Sequence, residues 1–161
     1  MLDNNITLMG RGPNAVPATE SNNNHLIRVN DSGTLVMNAG ARVTGNTNSA
    51  SSSGGGVHVA SGGMLNMHGG EIAGNSAGSS SGGGVHVANG GTFRISDGVI
   101  HGSDAAEGLR NVATGWNSGA SLFNSGTAER GTFNVAGTFS RLDTLSTTND
   151  TIHMVNGALA P

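Results

Sequence analysis

The 161-residue chain contains no cysteine, no lysine and no tyrosine, and only five of its side chains are aromatic. Without cysteine the chain has neither disulfides nor thiolate metal ligands. Its apolar fraction of 35% is low for a globular domain, so one thick hydrophobic core is not expected. Many small sheets around a thin apolar seam fit this composition better. The competing interpretation, disorder, conflicts with the regular alternation described below.

The charged residues give a net charge of −3, from ten acids and seven arginines. The arginines are scattered singly, so no basic stripe for nucleic acid and no polybasic membrane attachment is expected. No run approaches the length of apolar sequence that crosses a membrane, and no signal peptide is visible at Met1. Together with the repeats below, this favours an excised piece of a longer exported chain.

Internal repeats dominate the middle of the chain. Residues 53–80 read SGGGVHVASGGMLNMHGGEIAGNSAGSS, and residues 81–108 match them at 14 of 28 positions without a gap, including an identical run of eight. A looser copy covers about 25–52, with one residue inserted near Ala41. A decayed copy follows, in which residues 121–123 are predicted to replace the first strand and Thr132–Val135 the second.

Each repeat contains three short segments in which apolar and polar residues alternate, separated by glycine, serine and asparagine. Alternation over three residues predicts a very short, half-buried strand. Three such strands cannot bury their apolar faces alone, but stacking successive repeats can, because each strand pairs with its equivalent in the next repeat. The stack predicts three interior columns of like residues. They are Ile27, Val57 and Val85; Leu35, Leu65 and Phe93; and Met37, Met67 and Ile95.

These patterns predict an all-β fold, a right-handed parallel β-helix of about four coils with three short strands per coil. Residues 1–110 would form the coils, with repeats at about 25–52, 53–80 and 81–108, and residues 5–8 would be the last strand of an earlier coil. Residues 111–161 would form a final irregular coil and a C-terminal cap over the unpaired strand edges. Trp116 lies in this part, as a binding aromatic or a plug. A β-propeller or sandwich is the rival, but both need longer strands.

The pattern GGGVHVASGG followed by MLNMHGGEIAGNSA resembles the right-handed parallel β-helix repeats of bacterial surface proteins. It is similar to the autotransporter-passenger and polymorphic-outer-membrane-protein types, and especially to the repetitive surface proteins of treponeme-like bacteria. In those repeats the residue between the two valines is commonly tyrosine; here it is His58 and His86. The resemblance covers about residues 1–110 and implies exposure at the cell surface, with adhesion or structural display. It implies no catalytic residue.

Three residues are weak candidates for a ligand site. His58 and His86 occupy equivalent positions between inward valines, so they are predicted to point outward as an exposed ladder, with Arg28 one coil further along. No acid repeats beside them, so we expect a ladder without a metal. Asn46, Asn75 and Ser103 are predicted to form a second ladder at the turn after the third strand.

Catalysis needs a cluster of acids, and the sequence offers little support for one. Glu71 and Asp97 lie close in repeat register, yet no third group supports them as a polysaccharide-cleaving pair. The runs Gly54–Gly56 and Gly82–Gly84 lack the lysine of a phosphate loop and are predicted to be tight entries into the first strand. We therefore expect no catalytic residue, no cofactor and no bound metal.

The expected function is that of a non-enzymatic cell-surface or secreted segment serving adhesion, display or structural spacing. Its expected partner is a host or cell-surface protein or glycan, without nucleic acid and without membrane insertion. Two alternatives stay open. One is a carbohydrate-binding or pectate-lyase-like carbohydrate-active protein, and the other is a self-assembling filament subunit whose ends stack on one another.

Overall fold

The fold is seen in a computed structural model that describes residues 1–11, 24–49, 54–78, 81–114, 118–133, 135, 137, 139–141 and 147–160. These residues form short β-strands and turns and no helix. Trp116, singled out from the sequence, lies outside the described residues. No helix of sufficient length and apolarity to cross a membrane occurs in the described ranges.

The strands follow one another in a regular order along the chain. One strand precedes the repeats, β1 (Thr7–Met9). The first repeat contains β2 (Ile27–Val29), β3 (Thr34–Met37), β4 (Arg42–Thr44) and β5 (Thr47–Asn48). The second contains β6 (Val57–Val59), β7 (Met64–Met67), β8 (Glu71–Ala73) and β9 (Ser76–Ala77). The third contains β10 (Val85–Val87), β11 (Thr92–Ile95), β12 (Gly98–Ile100) and β13 (Val112–Ala113). The remaining strands are β14 (Leu122–Asn124), β15 (Thr127–Arg130), β16 (Ser140–Arg141), β17 (Thr147–Thr148), β18 (Ile152–Val155) and β19 (Ala158–Leu159).

Equivalent strands of successive repeats pair side by side in four sheets. The first sheet has the order β17-β14-β10-β6-β2, the second β16-β15-β11-β7-β3, the third β1-β4-β8-β12-β18-β19 and the fourth β13-β9-β5. Every pairing among β1 to β15 is parallel. The protein is therefore all-β, built from parallel sheets of short strands.

The predicted interior columns are confirmed by the strand register. Val57 pairs with both Ile27 and Val85, Leu65 pairs with Leu35 and Phe93, and Met67 pairs with Met37 and Ile95. The column residues of the second and third repeats have no exposed surface. A third-strand column joins Val43, Ile72 and Ile100, so Ile100 and not Val99 faces the core.

The prediction of three strands per repeat is wrong, because each repeat carries a fourth. β5, β9 and β13 have only two residues each and no apolar alternation, so the sequence pattern did not reveal them. Their inward residues are small or polar, and Asn48 and Ala77 are almost completely buried. Short side chains therefore face the interior at the fourth sheet.

Glycine runs at the entry to the first strand allow neighbouring backbones to approach closely. The N–H of Gly55 donates to Gly82 O (2.9 Å), and the N–H of Gly56 donates to Gly83 O (3.0 Å). A Cβ added at Gly55 would lie 2.5 Å from Gly83 O and 2.6 Å from Ser76 O. This close stacking explains the predicted tight entry, and it excludes any side chain at that position.

The fourth copy departs from the predicted boundaries. Its first strand is β14, which includes the predicted residues Leu122 and Phe123, but its second strand is β15 and not the predicted Thr132–Val135. Only Ser125 and Gly126 separate β14 from β15, and Asn124 Oδ1 accepts a hydrogen bond from the N–H of Gly126 (3.0 Å) in this short turn. The alternating Thr132–Val135 pattern therefore belongs to a segment beyond the strand.

The carboxy-terminal strands reverse direction. β16, β17 and β18 pair antiparallel with β15, β14 and β12, the last parallel strands of the second, first and third sheets. Ile152 and Met154 of β18 are 1% exposed and belong to the same core as Ile100. The final segment thus supplies both backbone partners and apolar side chains to this end of the stack.

Candidate functional site

The outer face of the first sheet carries one aligned residue per strand. His58 pairs in register with Arg28 on β2 and with His86 on β10, and His86 pairs with Phe123 on β14. Each of these residues stands between two inward-facing neighbours, so it points away from the core. The predicted alignment of Arg28, His58 and His86 is confirmed.

The rings on this face form a column with a different membership from the one predicted. His25 stacks on His58 with ring centroids 5.1 Å apart, and His86 follows at 4.9 Å from His58. Phe123 continues the column at 5.0 Å from His86. We call His25, His58, His86 and Phe123 the ring column. His25 lies in the turn before β2, so its sequence position gave no periodic signal, whereas the alignment of residues 121–123 with the first strand did include Phe123.

The prediction that the histidines form an exposed ladder is wrong. His58 is 9% exposed and His86 is 7% exposed, although Arg28 is exposed as expected. Neighbouring rings cover each other, and the glycine entry also lies against this face: a Cβ added at Gly54 would be 3.0 Å from the Cβ of His86. The Nδ2 of Asn48 holds that segment in place by donating to Gly54 O (3.1 Å).

Burial keeps the ring column uncharged. It lowers the pKa of His58 to about 4, with smaller contributions from His86, His25 and Arg28. The pKa of His86 and that of His25 are also lowered, mainly by burial. The Nδ1 atoms of all three histidines have no hydrogen-bond partner among the described residues. The three imidazoles of the column are therefore neutral near neutral pH.

The stacked geometry is poorly suited to a shared metal ion. The lone pair of an imidazole lies in the ring plane, so the nearly parallel rings of His25 and His58, whose planes differ by 23°, direct their lone pairs side by side and not toward one point. Within the described ranges, no group of three or more histidine, cysteine, aspartate or glutamate side chains is placed to hold a metal ion. The expectation of a ladder without metal stays a prediction.

Acid is expected to destabilise the fold through this column. The unfolded histidines bind protons below about pH 6.5, whereas folded His58 binds its proton only near pH 4, so stability falls as the pH drops through this window. Discounted for partial contact with water, His58 contributes about 2 kcal/mol to this loss. Urea unfolding at about pH 7 and at about pH 4 measures it.

The matched control for this prediction is His153, an exposed histidine on β18. His58→Gln should reduce the loss of stability on acidification, whereas His153→Gln should leave it unchanged. An equal pH dependence in His58→Gln and the unmodified chain would contradict the assignment.

A second feature is a cleft of about 510 Å³ where the turns between the second and third sheets stack. Its lining includes Arg42, His68, Glu71 and Asp97, with glycines between them. These turns are narrow because glycines replace side chains there, for example at Gly69 and Gly70. Glu71 and Asp97, the two acids that are close in repeat register, thus both line this cleft.

Both acids of the cleft already have partners. Glu71 Oε2 lies 2.7 Å from Arg42 Nε, and Glu71 Oε1 lies 2.9 Å from His101 Nε2. Asp97 Oδ1 accepts a hydrogen bond from the N–H of Asn156 (2.9 Å). The carboxylates thus help to hold neighbouring strands and the carboxy-terminal turn. Fewer of their oxygen lone pairs are therefore available to bind a substrate.

The outer face of the second sheet carries further contacts that sequence reasoning missed. Arg94 and Glu129 pair in register, with Nε and Oε2 2.6 Å apart. The Arg94 guanidinium also lies 5.3 Å from the ring centroid of Phe139. Phe133 stacks on His68 at 3.8 Å and contacts Phe139 edge-on at 4.9 Å. Arg94 and Glu129 are 35 positions apart, because an insertion separates their repeats. A search at a 28-residue period therefore does not detect this pair.

An asparagine ladder crosses the interior beside the fourth sheet. Asn75 Oδ1 accepts from the N–H of Asn46 (3.1 Å), and Asn111 Oδ1 accepts from the N–H of Asn75 (2.9 Å). All three are at most 1% exposed. The prediction that Ser103 is the third member is wrong. Ser103 is exposed, and its Oγ donates a hydrogen bond to Asn149 O instead. The insertion between β12 and β13 displaces the equivalent position to Asn111.

A scan against protein-family models and searches of the curated proteins and of the solved structures find no match.

Proposed function

We propose that the four stacked sheets form a right-handed parallel β-helix of about four coils. The support is the parallel register that joins equivalent strands of three successive repeats. Parallel strands of one sheet joined through a crossover favour the right-handed path. The antiparallel strands β16, β17 and β18, which occupy the last strand edges, would then be the cap.

We propose that this β-helix is a non-enzymatic segment of a bacterial surface or secreted protein, serving adhesion, display or structural spacing. The observation that carries the proposal is that two outward arginines form ion pairs with glutamates of the same stack. Arg42 pairs with Glu71, and Arg94 pairs with Glu129, each across neighbouring strands of one face. Such side chains stabilise the stack and present a continuous surface. The resemblance to bacterial surface repeats points the same way.

Two measurements test the proposal. Antibody against the purified chain should label intact cells of the source organism, and labelling only after permeabilisation would contradict a surface location. The purified chain should also bind saturably to glycans or extracellular proteins on an array without changing them. Release of cleaved product from any arrayed polysaccharide would contradict the non-enzymatic assignment.

Carbohydrate binding or cleavage is the second candidate, and the cleft with Glu71 and Asp97 is the observation that favours it. If the cleft binds sugar, Glu71→Gln or Asp97→Asn should weaken oligosaccharide binding at least tenfold in calorimetry. Asp31→Asn, at an exposed turn acid outside the cleft, is the matched control. Unchanged binding in both cleft variants would exclude this candidate.

Head-to-tail filament formation, the third candidate, requires a free strand edge at both ends of the stack. Strands β16, β17 and β18 occupy one of these ends. We therefore expect the chain to sediment as a monomer, and filaments in electron micrographs would favour the filament subunit instead.

A further inference from the structure

The first edge of the first sheet differs from its last edge. In the described part of the chain β2 pairs only with β6, whereas β17 covers the opposite edge at β14. The N–H of Ile27 donates to Gly56 O (3.0 Å), and Val29 O accepts from the N–H of Ala60 (2.9 Å). Because alternate residues of a parallel strand bond to opposite neighbours, the N–H and C=O of Arg28 face the edge that no described strand covers.

The same edge exposes apolar surface that other repeats bury. Ile27 and Leu35 are only partly buried, whereas their column neighbours Val57 and Leu65 have no exposed surface. A shallow groove of about 330 Å³ runs between them along β2 and β3. Leu2 already bridges Met37 at the end of β3, so a further strand beside β2 would cover the exposed part of Ile27.

The charge pattern indicates what that strand would carry. At two outward strand positions, Arg42 and Arg94, the arginine pairs with a glutamate in register on the adjacent strand. Arg28 holds the same kind of position, but its register neighbour on β6 is His58. Among the described residues Arg28 forms no ion pair, and its side chain is exposed. A carboxylate in register with Arg28 would therefore have to come from the side of β2 on which no described strand lies.

We propose that the β2 edge binds an extended segment of a partner protein in which an acidic residue stands between two apolar residues. The segment adds to the first sheet as a strand, so its backbone bonds to Arg28, its apolar residues continue the interior columns and cover the partly exposed Ile27, and its carboxylate pairs with the Arg28 guanidinium. This interaction does not depend on the cellular location of the chain.

A second copy of the chain fits this edge poorly. Two β2 strands paired about a two-fold axis would place Arg28 opposite Arg28, and like charges directly opposite each other destabilise a sheet. Head-to-tail addition would need the β14 edge, which β17 occupies.

The test uses the full chain and three synthetic peptides with valine–glutamate–valine, valine–glutamine–valine and valine–lysine–valine cores. In amide NMR spectra, the glutamate peptide should shift the signals of residues 26–30. In a separate pH titration followed by the imidazole signals, it should raise the pKa of His25, because, besides burial, Arg28 contributes to lowering that pKa. The glutamine and lysine peptides should bind at least tenfold more weakly. Equal affinity of the glutamate and glutamine peptides, or shifts confined to other regions, would overturn the proposal.

Charge reversal provides the matched control. Arg28→Glu should bind the lysine peptide more tightly than the glutamate peptide. Arg28→Gln should bind the glutamate, glutamine and lysine peptides with similar affinity. Arg110→Glu, at an exposed arginine in a turn, should keep the preference of the unmodified chain. Concentration-dependent self-association that Arg28→Glu alters, or no binding of the glutamate peptide at millimolar concentration, would also overturn the proposal.

Discussion

Phe93→Ala is expected to lower the free energy of unfolding by about 4 kcal/mol. Among the described residues, Phe93 is the largest side chain with no exposed surface, and it lies in the second-strand column between Leu65 and Ala128. The small Ala128 on the next strand leaves room that the ring fills. Backbone hydrogen bonds on both sides of β11 prevent the strands from closing around a cavity, so most of the lost contact stays uncompensated.

Urea unfolding followed by far-ultraviolet circular dichroism measures this loss. The matched control is Phe133→Ala, which removes a partly buried ring that stacks on His68 outside the core. That variant should lose about 1 kcal/mol. Similar losses in the two variants would show that Phe93 does not occupy a rigid core column.

Asn75→Ala is expected to lower the free energy of unfolding by about 3 kcal/mol, because it removes the hydrogen-bond partners of several buried groups at once. The Nδ2 of Asn75 donates to Val43 O (3.1 Å) and Ala73 O (3.0 Å), and its Oδ1 accepts from the N–H of Asn46 (3.1 Å). The N–H of Asn46 belongs to a residue with no exposed surface, so water cannot easily replace the lost bond.

The comparison for this variant is Asn89→Ala, at an exposed turn position of the third repeat. A change there should stay within about 0.5 kcal/mol. If Asn75→Ala proved as mild as Asn89→Ala, the buried asparagine ladder would not be a structural element of the stack.

Apolar alternation was a sufficient local signal for the core columns but not for every strand. The columns headed by Ile27, Leu35 and Met37 followed from apolar alternation, since a strand with only two inward residues must align them with those of its neighbours. The fourth sheet did not follow, because the two-residue strand Ser76–Ala77 has no alternation to detect. The second strand of the fourth copy was misplaced because its inward residue is Ala128, a weak apolar signal, while Phe133 nearby gave a strong one.

The candidate site was predictable in register but not in environment. Sequence placed His58, His86 and Arg28 on one face, yet it could not show that Gly54 and neighbouring rings bury the imidazoles. Burial depends on chain segments that return to the same face, and their approach is not encoded in the spacing of the histidines. The lowered pKa of His58 depends on that burial.

For this protein the sequence by itself determined the periodicity, the positions of the first three strands in each of the two strict repeats and the identity of the residues that form the predicted core columns. These features depend on local alternation and on exact repetition, which pairing between neighbouring copies must preserve. Only the tertiary structure decided the partners that insertions displace, such as Asn111 for Asn75 and Glu129 for Arg94. It also decided which strand edges the antiparallel carboxy-terminal strands cover and that β2 is left without a second neighbour in the described residues, because edge coverage depends on where distant segments meet.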